Sequence, residues 1–224
     1  MINVEKLAKE SNRDYAYRVI RENIINLQLK PGSMISEQDI ADELKLSRTP
    51  VHEALQELAR TQIIEILPQR GSIISHINMD LVDEAIFMRS TIEADLTEEA
   101  CQIANEKDIQ KLEENVALQE FYHTKNSIDK IMKLDNEFHE YMYKITNKML
   151  CYQVVKQINI HLDRYRELKL QTFNSASVIN EHKEIVETFK SKDSAKARQL
   201  IEQHLKRSYP NEQELRQKFP DYFS

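Results

Sequence analysis

The chain has 224 residues, a formal net charge of -6 and 30% charged residues, yet it contains only two glycines, Gly32 and Gly71. Average usage would give roughly 7% glycine, and two glycines so far apart exclude the glycine-rich loops of Rossmann and P-loop nucleotide sites. Sheet-rich folds with many tight turns are disfavoured for the same reason, so the composition indicates a mostly α-helical protein.

Residues 1–78 contain both glycines and three of the five prolines, and their apolar spacing predicts three helices. The first spans Asp14 to Leu29 and is stopped by Lys30-Pro31-Gly32. The second begins at Ser36, a good N-cap, and runs to Leu44. The third opens at Ser47-Arg48-Thr49-Pro50, where a proline is tolerated because first-turn N–H groups are unpaired anyway.

Two short β-branched runs follow the third helix. Ile63 to Leu67 and Ser72 to Ser75 are joined by Pro68-Gln69-Arg70-Gly71, which predicts a β-hairpin with a four-residue loop. Only Lys45-Leu46-Ser47 separates the second helix from the third, which is the spacing of a helix-turn-helix. Three helices and a hairpin together predict a winged helix-turn-helix over residues 1–78.

The amino-terminal end of the third helix is the candidate DNA-reading element, because such helices enter the major groove by that end. It carries Ser47, Arg48, Thr49 and His52. Arg48 can pair bidentately with guanine, the two hydroxyls suit phosphates, and Arg70 lies at the wing tip. Against DNA binding, residues 1–78 carry ten basic and eleven acidic side chains, a net charge of -1. A protein-interaction module therefore stays an alternative.

Residues 79–224 have no glycine and no proline before Pro210, and they predict an antiparallel all-α helical bundle. One apolar stripe runs from Leu81 to Ile103. Further helical segments are expected at about 108–123, 127–146, 149–172, 176–191 and 193–208. The tail 209–224 contains two prolines and fits either a short helix or a frayed end.

Four polar residues interrupt the apolar faces of these helices. Asp135 and His139 lie one turn apart on one helix face, and His182 and His204 also fall on apolar faces. One carboxylate and three imidazoles can bind a single divalent cation, zinc or nickel being the best match, if the three helices converge. The alternative is that each histidine is an ordinary core residue, since spacing alone does not bring the helices together.

The segment LKPGSMISEQDIADELKLSRTPVHEALQELARTQIIEILPQRGSIIS resembles the DNA-binding domain of the GntR family of bacterial transcription regulators. The resemblance implies operator contacts from Arg48 and His52 and minor-groove contacts from the wing. His52 stands where that family prefers arginine, Gln38 is uncharged where a basic residue is frequent, and Leu27 and Gln62 replace usual glycines. The candidate DNA-contacting residues are Ser36, Gln38, Ser47, Arg48, Thr49, His52, Arg70 and Gly71.

Residues 79–208 resemble the helical FCD effector domain of one GntR branch. The motifs are Arg89-x-x-x-Glu93, Asp135…Phe138-His139…Asn147, Glu181-His182-x-x-Ile185 and His204-Leu205. The resemblance implies a metal site at Asp135, His139, His182 and His204. A small carboxylate effector is then expected to complete the metal shell, with Arg89 holding its other end. The alternative for Arg89 is a helix salt bridge to Glu93.

We therefore expect a metabolite-responsive DNA-binding transcription regulator rather than an enzyme. Residues 1–78 form its DNA-binding domain, and residues 79–224 bind metal and effector and mediate dimerisation. The expected partners are double-stranded operator DNA and a second copy of the chain, because paired half-sites need a dimer. A metal-responsive regulator and a metal-dependent hydrolase stay as alternatives.

The remaining expectation concerns location. Cys101 and Cys151 have no framework spacing, as expected for two reduced thiols in the cytosol. No apolar run approaches about 18 residues, and the amino terminus has no signal-peptide apolar region. A cytoplasmic protein without a membrane partner is predicted.

Overall fold

The computed structural model describes residues 4–173, 175–207 and 212–224. Its helices and strands in chain order are α1 (Asn12–Ile25), β1 (Met34–Ile35), α2 (Glu37–Leu44), α3 (Arg48–Ala59), β2 (Ile64–Leu67), β3 (Gly71–Ile74), α4 (Met79–Ile103), α5 (Glu106–Thr124), α6 (Ile128–Ile145), α7 (Met149–Ile158), α8 (Ile160–Thr172), α9 (Ala176–Ser191), α10 (Ser194–Lys206) and α11 (Glu212–Lys218), with a final 3-10 turn (Pro220–Tyr222). No helix in the described part of the chain is long and apolar enough to cross a membrane.

The chain folds into two compact units, neither of which is continuous in sequence. The first unit comprises Met1–Val82, Ile160–Tyr165 and Gln213–Ser224, and the second comprises Asp83–Asn159 and Arg166–Glu212. The predicted mostly helical class is confirmed, with a small sheet confined to the first unit.

The first unit contains the predicted winged helix-turn-helix. Ile20 of α1 and Leu55 and Leu58 of α3 are fully buried in its core. The turn between α2 and α3 falls at the predicted residues, and Lys45 closes α2 with a left-handed φ of 55°. Ser36 caps the start of α2, where its Oγ accepts a hydrogen bond from the Asp39 backbone N–H (3.4 Å). Local chemistry therefore sets each boundary of the helix-turn-helix.

The sheet has three strands in the order β1-β3-β2, both pairs antiparallel. The sequence prediction missed β1, because two residues are too few to show an alternating pattern; Met34 pairs there with Ile73. The predicted four-residue hairpin loop is wrong, since Gly71 already pairs with Leu67 and leaves residues 68–70 as the loop. Gly71 has φ +100°, and a Cβ there would lie 2.8 Å from the Ile35 carbonyl oxygen, so the close approach of β1 requires glycine.

Two turns in the first unit place larger residues in the left-handed region. Leu27 has φ 58° and Gln62 has φ 59°. The left-handed backbone at Leu27 means that α1 ends at Ile25 and not at the predicted Leu29. The backbone N–H of Leu27 donates a hydrogen bond to the Ile24 carbonyl (3.2 Å). Each such residue costs about 1–2 kcal/mol relative to glycine, because Cβ crowds the following carbonyl.

The second unit is the predicted antiparallel helical bundle. α5 packs on α6 and α9, and α9 packs on α10. Phe138, Met142, Phe189 and Ala197 are fully buried at its centre. This arrangement places one face of α6 opposite α9 and α10, which is the condition that the metal hypothesis required.

One predicted helix of the bundle region is wrong. The segment 149–172 forms two helices, α7 and α8, because the backbone at Asn159 leaves the helical region (φ -73°, ψ 1°). Asparagine favours such breaks, since its short polar side chain competes for backbone groups. The predicted tail contains α11 and the 3-10 turn; its residues 209–211, and residue 208 of the preceding predicted segment, lie outside the described residues.

Candidate metal centre and DNA-binding face

The four candidate metal ligands meet at one point in the second unit. α6 supplies Asp135 and His139, α9 supplies His182 and α10 supplies His204. His204 Nε2 lies 3.2 Å from His139 Nε2 and 3.3 Å from His182 Nε2. The Asp135 carboxylate lies 3.8 Å from His182 Nε2 and 3.9 Å from His139 Nε2. All four donor groups therefore lie within 4.8 Å of one another.

Burial fixes the charge state of this cluster. Desolvation lowers the pKa of His139 and of His182, so both rings are held neutral. Burial alone would raise the pKa of Asp135, but the charge of Arg166 holds it well below its usual range. The result is one carboxylate beside the neutral imidazoles of His139 and His182, which are the protonation states that bind a divalent cation.

The outer ring nitrogens of two histidines face carboxylates. His139 Nδ1 lies 2.6 Å from Glu93 Oε2, and His204 Nδ1 lies 2.8 Å from Glu181 Oε2. An ionised carboxylate only accepts hydrogen bonds, so both Nδ1 atoms must carry the proton. In a neutral ring this leaves Nε2 with a bare lone pair.

A chain of amide groups sets the proton on the third ring. The Asn115 amide nitrogen donates to the Leu134 carbonyl (3.0 Å), so its oxygen accepts from the Gln119 amide nitrogen (2.7 Å). The Gln119 oxygen then faces His182 Nδ1 at 2.9 Å and accepts its proton. When all three rings are neutral, their Nε2 lone pairs point at one another, which is unfavourable without a cation between them.

The donor spacing fits a shared ion. Two imidazole nitrogens bound at about 2.0–2.1 Å to one metal, at angles of about 90–110°, lie about 2.8–3.4 Å apart. The observed separations of 3.2 and 3.3 Å fall within that range. Ligating histidines also characteristically donate their other N–H to a carboxylate or amide oxygen, as all three do here.

Arg166 on α8 is a site residue that the sequence analysis missed. Its guanidinium donates to Asp135 Oδ2, and its Nη1 donates to Asn136 Oδ1 at 2.9 Å. No sequence spacing links α8 to α6, so only the tertiary fold brings these groups together.

Arg89, the candidate effector residue, is buried and holds Glu93. Its Nε donates to Glu93 Oε1 at 2.8 Å, and its Nη2 lies 3.4 Å from Oε2. Tyr143 also donates to Glu93 Oε1 at 3.3 Å. The salt bridge weighed as the alternative for Arg89 is therefore present, and it connects Arg89 through Glu93 to His139.

A cavity of about 310 Å³ opens beside the cluster. Its lining includes three candidate ligands, four cations, one further carboxylate and an apolar wall: Asp135, His139, His204, Arg89, Arg166, Lys169, Arg207, Glu181, Phe173, Val178 and Leu205. The cavity therefore offers cationic and apolar surface directly next to the donor set.

The candidate DNA-reading residues lie together at the start of α3. Ser47, Arg48, Thr49 and His52 are all exposed there. The structure adds Glu37 of α2, which the sequence analysis missed: His52 Nδ1 lies 2.6 Å from Glu37 Oε1, and Arg48 Nη2 lies 3.5 Å from Oε2. A carboxylate thus holds both basic side chains of the reading face.

The other candidate DNA-contacting residues are either exposed or have a structural role in the first unit. Gln38 is exposed, and its amide donates to Asp42 Oδ1 (2.8 Å). Arg70 is exposed in the wing loop, next to Gly71 at the start of β3. Ser36 is committed to capping α2, so its hydroxyl reaches DNA only by sharing that role.

Comparison with known families covers both parts of the chain. Residues 84–207 match the model of the FCD domain, and residues 12–74 match that of "Bacterial regulatory proteins, gntR family". The HTH-type transcriptional repressor RspR of Escherichia coli K12 is 27% identical over 209 residues, which cover 93% of this chain and 92% of that protein. The HTH-type regulator YdhC of Bacillus subtilis is 24% identical over 190 residues, 84% of this chain and 85% of YdhC.

Solved structures support the fold. E. coli McbR/YncC superposes with a TM-score of 0.79 at 19% identity, covering 94% of this chain and 99% of McbR. A putative GntR regulator from Rhodococcus sp. RHA1 gives a TM-score of 0.71 at 18% identity, covering 88% and 95% of the two chains. At such identities these neighbours establish the architecture alone.

Proposed function

This chain belongs to the GntR family of bacterial regulatory proteins, in the branch with an FCD domain, and we propose that it is a metabolite-responsive regulator with a resident divalent metal. Its family consists of DNA-binding transcription regulators and not of enzymes, so the metal-dependent hydrolase is set aside. We retain residues 1–78 as the DNA-binding domain and residues 79–224 as the effector and dimerisation domain.

The three converging lone pairs carry the metal proposal. Asp135, His139, His182 and His204 would hold the ion, and zinc or nickel suits one carboxylate and three imidazoles. The bound ion would supply a Lewis-acidic centre for an oxygen ligand. Glu93, Glu181 and Gln119 would fix the three ring tautomers and so keep each Nε2 available.

The effector proposal rests on the cavity beside this cluster. Four protein ligands leave a coordination position open for an ion of five- or six-fold preference. A small carboxylate would fit there, because the adjacent cavity is cationic on one side and measures about 310 Å³. Arg89 lines the same cavity and would contact the carboxylate while Glu93 holds its guanidinium in place.

For DNA recognition, we assign the main base contact to Arg48. Its side chain is 65% exposed at the start of α3, where a recognition helix approaches base edges. His52 would read a neighbouring base, while Ser36, Gln38, Ser47 and Thr49 would bind phosphates. Arg70 would enter the minor groove at the wing tip, where Gly71 permits the tight pairing with β1.

The homodimer proposal is supported by an exposed apolar stripe on α7. Leu150, Val154 and Ile158 follow one another at four-residue intervals and are 74%, 48% and 39% exposed. Residues at that spacing share one helix face, and contiguous exposed apolar surface marks an interaction site. A second copy of the chain is the occupant that paired operator half-sites require.

Native mass spectrometry of the untagged protein, purified without chelator, tests these assignments together. We expect a dimer with one metal per chain. His139→Gln should lose the metal, whereas His123→Gln, a histidine outside the cluster, should retain it. A metal-free wild-type dimer that takes up neither zinc nor nickel on addition would contradict the metal assignment.

The same preparation separates an effector-responsive regulator from a metal-responsive one. If the metal is resident, operator affinity should stay constant as free zinc varies over its physiological range and should change when a carboxylate is added. Operator affinity that tracks free zinc without a carboxylate would favour the metal as the signal.

A further inference from the structure

Within the described residues, Lys169 is the cation of the effector cavity that has no hydrogen-bonded or ion-paired acid. Arg89 pairs with Glu93, Arg166 pairs with Asp135, and Arg207 pairs with Glu181. For the Lys169 ammonium, by contrast, residues 4–173, 175–207 and 212–224 provide neither a hydrogen bond nor an ion pair. Lys169 is nevertheless half-buried and lines the cavity.

Lys169 lies where it can contact the same ligand as Arg166. The two residues are three apart on α8, so their side chains share one helix face. Burial lowers the pKa of Lys169; the charge of Glu181 opposes this, the charge of Arg166 adds to it, and Asp135 has a smaller opposing effect. A cation held partly out of water beside another cation gains more from an anionic ligand than an exposed lysine does.

A charge count favours a ligand with two negative charges. With the cluster loaded, a divalent ion, Arg166 and Lys169 carry four positive charges against the single negative charge of Asp135. The Arg89–Glu93 and Arg207–Glu181 pairs cancel internally. A monocarboxylate would leave an excess of two positive charges in the cavity, and a dicarboxylate would leave one.

We propose that Lys169, with Arg166, forms a second anion subsite in this cavity and that the effector is a small dicarboxylate. The inference rests on the proposed metal and carboxylate function and specifies its ligand class. One carboxylate would complete the metal shell, and the second would lie against Lys169. The cavity volume of about 310 Å³ is at the small end of ligand pockets, which span about 300–1,000 Å³, so a short carbon chain between the carboxylates fits best.

Calorimetric titration of the full-length, zinc-loaded protein with lactate and malate tests the proposal. The two ligands share an α-hydroxy-carboxylate end, and malate differs by one added carboxylate. We expect malate to bind at least about tenfold more tightly than lactate, a difference of about 1.4 kcal/mol. Equal affinities would overturn the second subsite while leaving the proposed carboxylate site intact.

Three variants assign the preference to Lys169. Lys169→Met should weaken malate binding about tenfold and leave lactate binding unchanged, and Lys169→Arg should keep most of the preference. Lys133→Met removes the same charge from an exposed position on α6 (69% exposed) and should change neither affinity. Metal content and melting temperature of each variant confirm that the loaded fold is retained.

Each result that would contradict the proposal excludes a different part of it. If Lys169→Met weakens both ligands equally, the lysine acts only through the general field of the cavity and the subsite is refuted. If Lys169→Met changes neither affinity, the lysine does not contact the ligand. If neither lactate nor malate binds the zinc-loaded wild type, the carboxylate effector of the proposed function fails together with this inference.

Discussion

Glu93 supports both the candidate metal centre and the candidate effector residue. It is 1% exposed and accepts hydrogen bonds from Arg89, His139 and Tyr143. Burial opposes its ionisation, but the charge of Arg89 and the hydrogen bonds from His139 and Arg89 hold its pKa well below the usual range. Glu93→Gln keeps the size of the side chain and removes only the charge and one acceptor oxygen.

Two losses should follow from Glu93→Gln. Arg89 keeps its charge in a buried site that no longer contains a carboxylate. Removing one partner of such a buried ion pair costs about 3–5 kcal/mol of folding stability. The glutamine amide also turns a donor toward either Arg89 or His139. Where it faces His139, the ring proton moves to Nε2 and blocks the metal-binding lone pair. We expect metal affinity to fall about 10–100-fold.

Two assays separate these losses. Urea unfolding of the chelator-treated protein, followed by circular dichroism, reports the stability of the metal-free fold. Competition with a chromophoric chelator reports zinc affinity. Glu137→Gln, on the exposed side of α6 (45% exposed), is the matched control and should change neither quantity.

The double variant Arg89→Met/Glu93→Gln gives the decisive comparison. Removing the buried cation together with its partner should recover most of the lost stability, because no unpaired charge is left. It should not recover zinc affinity, because His139 still lacks its carboxylate. If Glu93→Gln binds zinc as tightly as the wild type, the argument from ring tautomers is refuted.

Three further variants test the first unit. Arg48→Ala should cost about 1–3 kcal/mol on an operator recovered by selection from random duplexes and little on random DNA; equal losses by fluorescence anisotropy would mark a phosphate contact instead. Gln62→Gly should stabilise the protein by about 1 kcal/mol in urea unfolding, because Gln62 is exposed with φ 59°; a loss would contradict the strain. The Arg18 hydrogen bond, against a smaller opposing effect of burial, lowers the pKa of Glu10 from 4.5 to about 2. Glu10→Gln should therefore cost about 1 kcal/mol at pH 7, and the difference should disappear as the pH falls from about 5 to about 2; a difference that persists at pH 2 would show that the carboxylate charge is not its source.

Sequence was sufficient where local chemistry decides the structure. The helix-turn-helix depends on Ser36 as a cap, on the three-residue turn after Leu44 and on regular apolar spacing, all of which act within a few residues. The metal hypothesis was weaker, because helical spacing put His139, His182 and His204 on apolar faces without showing that these faces meet. Resemblance to the FCD domain supplied that step, and the bundle geometry brings the three side chains together.

Sequence was insufficient where distant segments meet. Arg166 reaches Asp135 across 31 residues, and no periodic pattern relates α8 to α6. Glu37 precedes His52 by 15 positions, so its hydrogen bond depends on the angle between α2 and α3. β1 is a strand only because β3 lies beside it. Each of these features follows from packing of the whole unit and leaves no mark on local composition.

The same packing couples the two proposed ligands. Each cationic side chain of the cavity other than Lys169 is joined through one acidic residue to a candidate metal ligand or pairs with the ligand itself. The three connections are Arg89–Glu93–His139, Arg207–Glu181–His204 and Arg166–Asp135. Metal binding would fix these acids and so position the cations for an anion, while an anion held by the cations would orient the acids for the metal.

Because binding linkage is reciprocal, the factor by which zinc raises malate affinity must equal the factor by which malate raises zinc affinity. Titrations in both orders measure the two factors independently, and if both equal one, the acid bridges position the side chains without coupling the ligands.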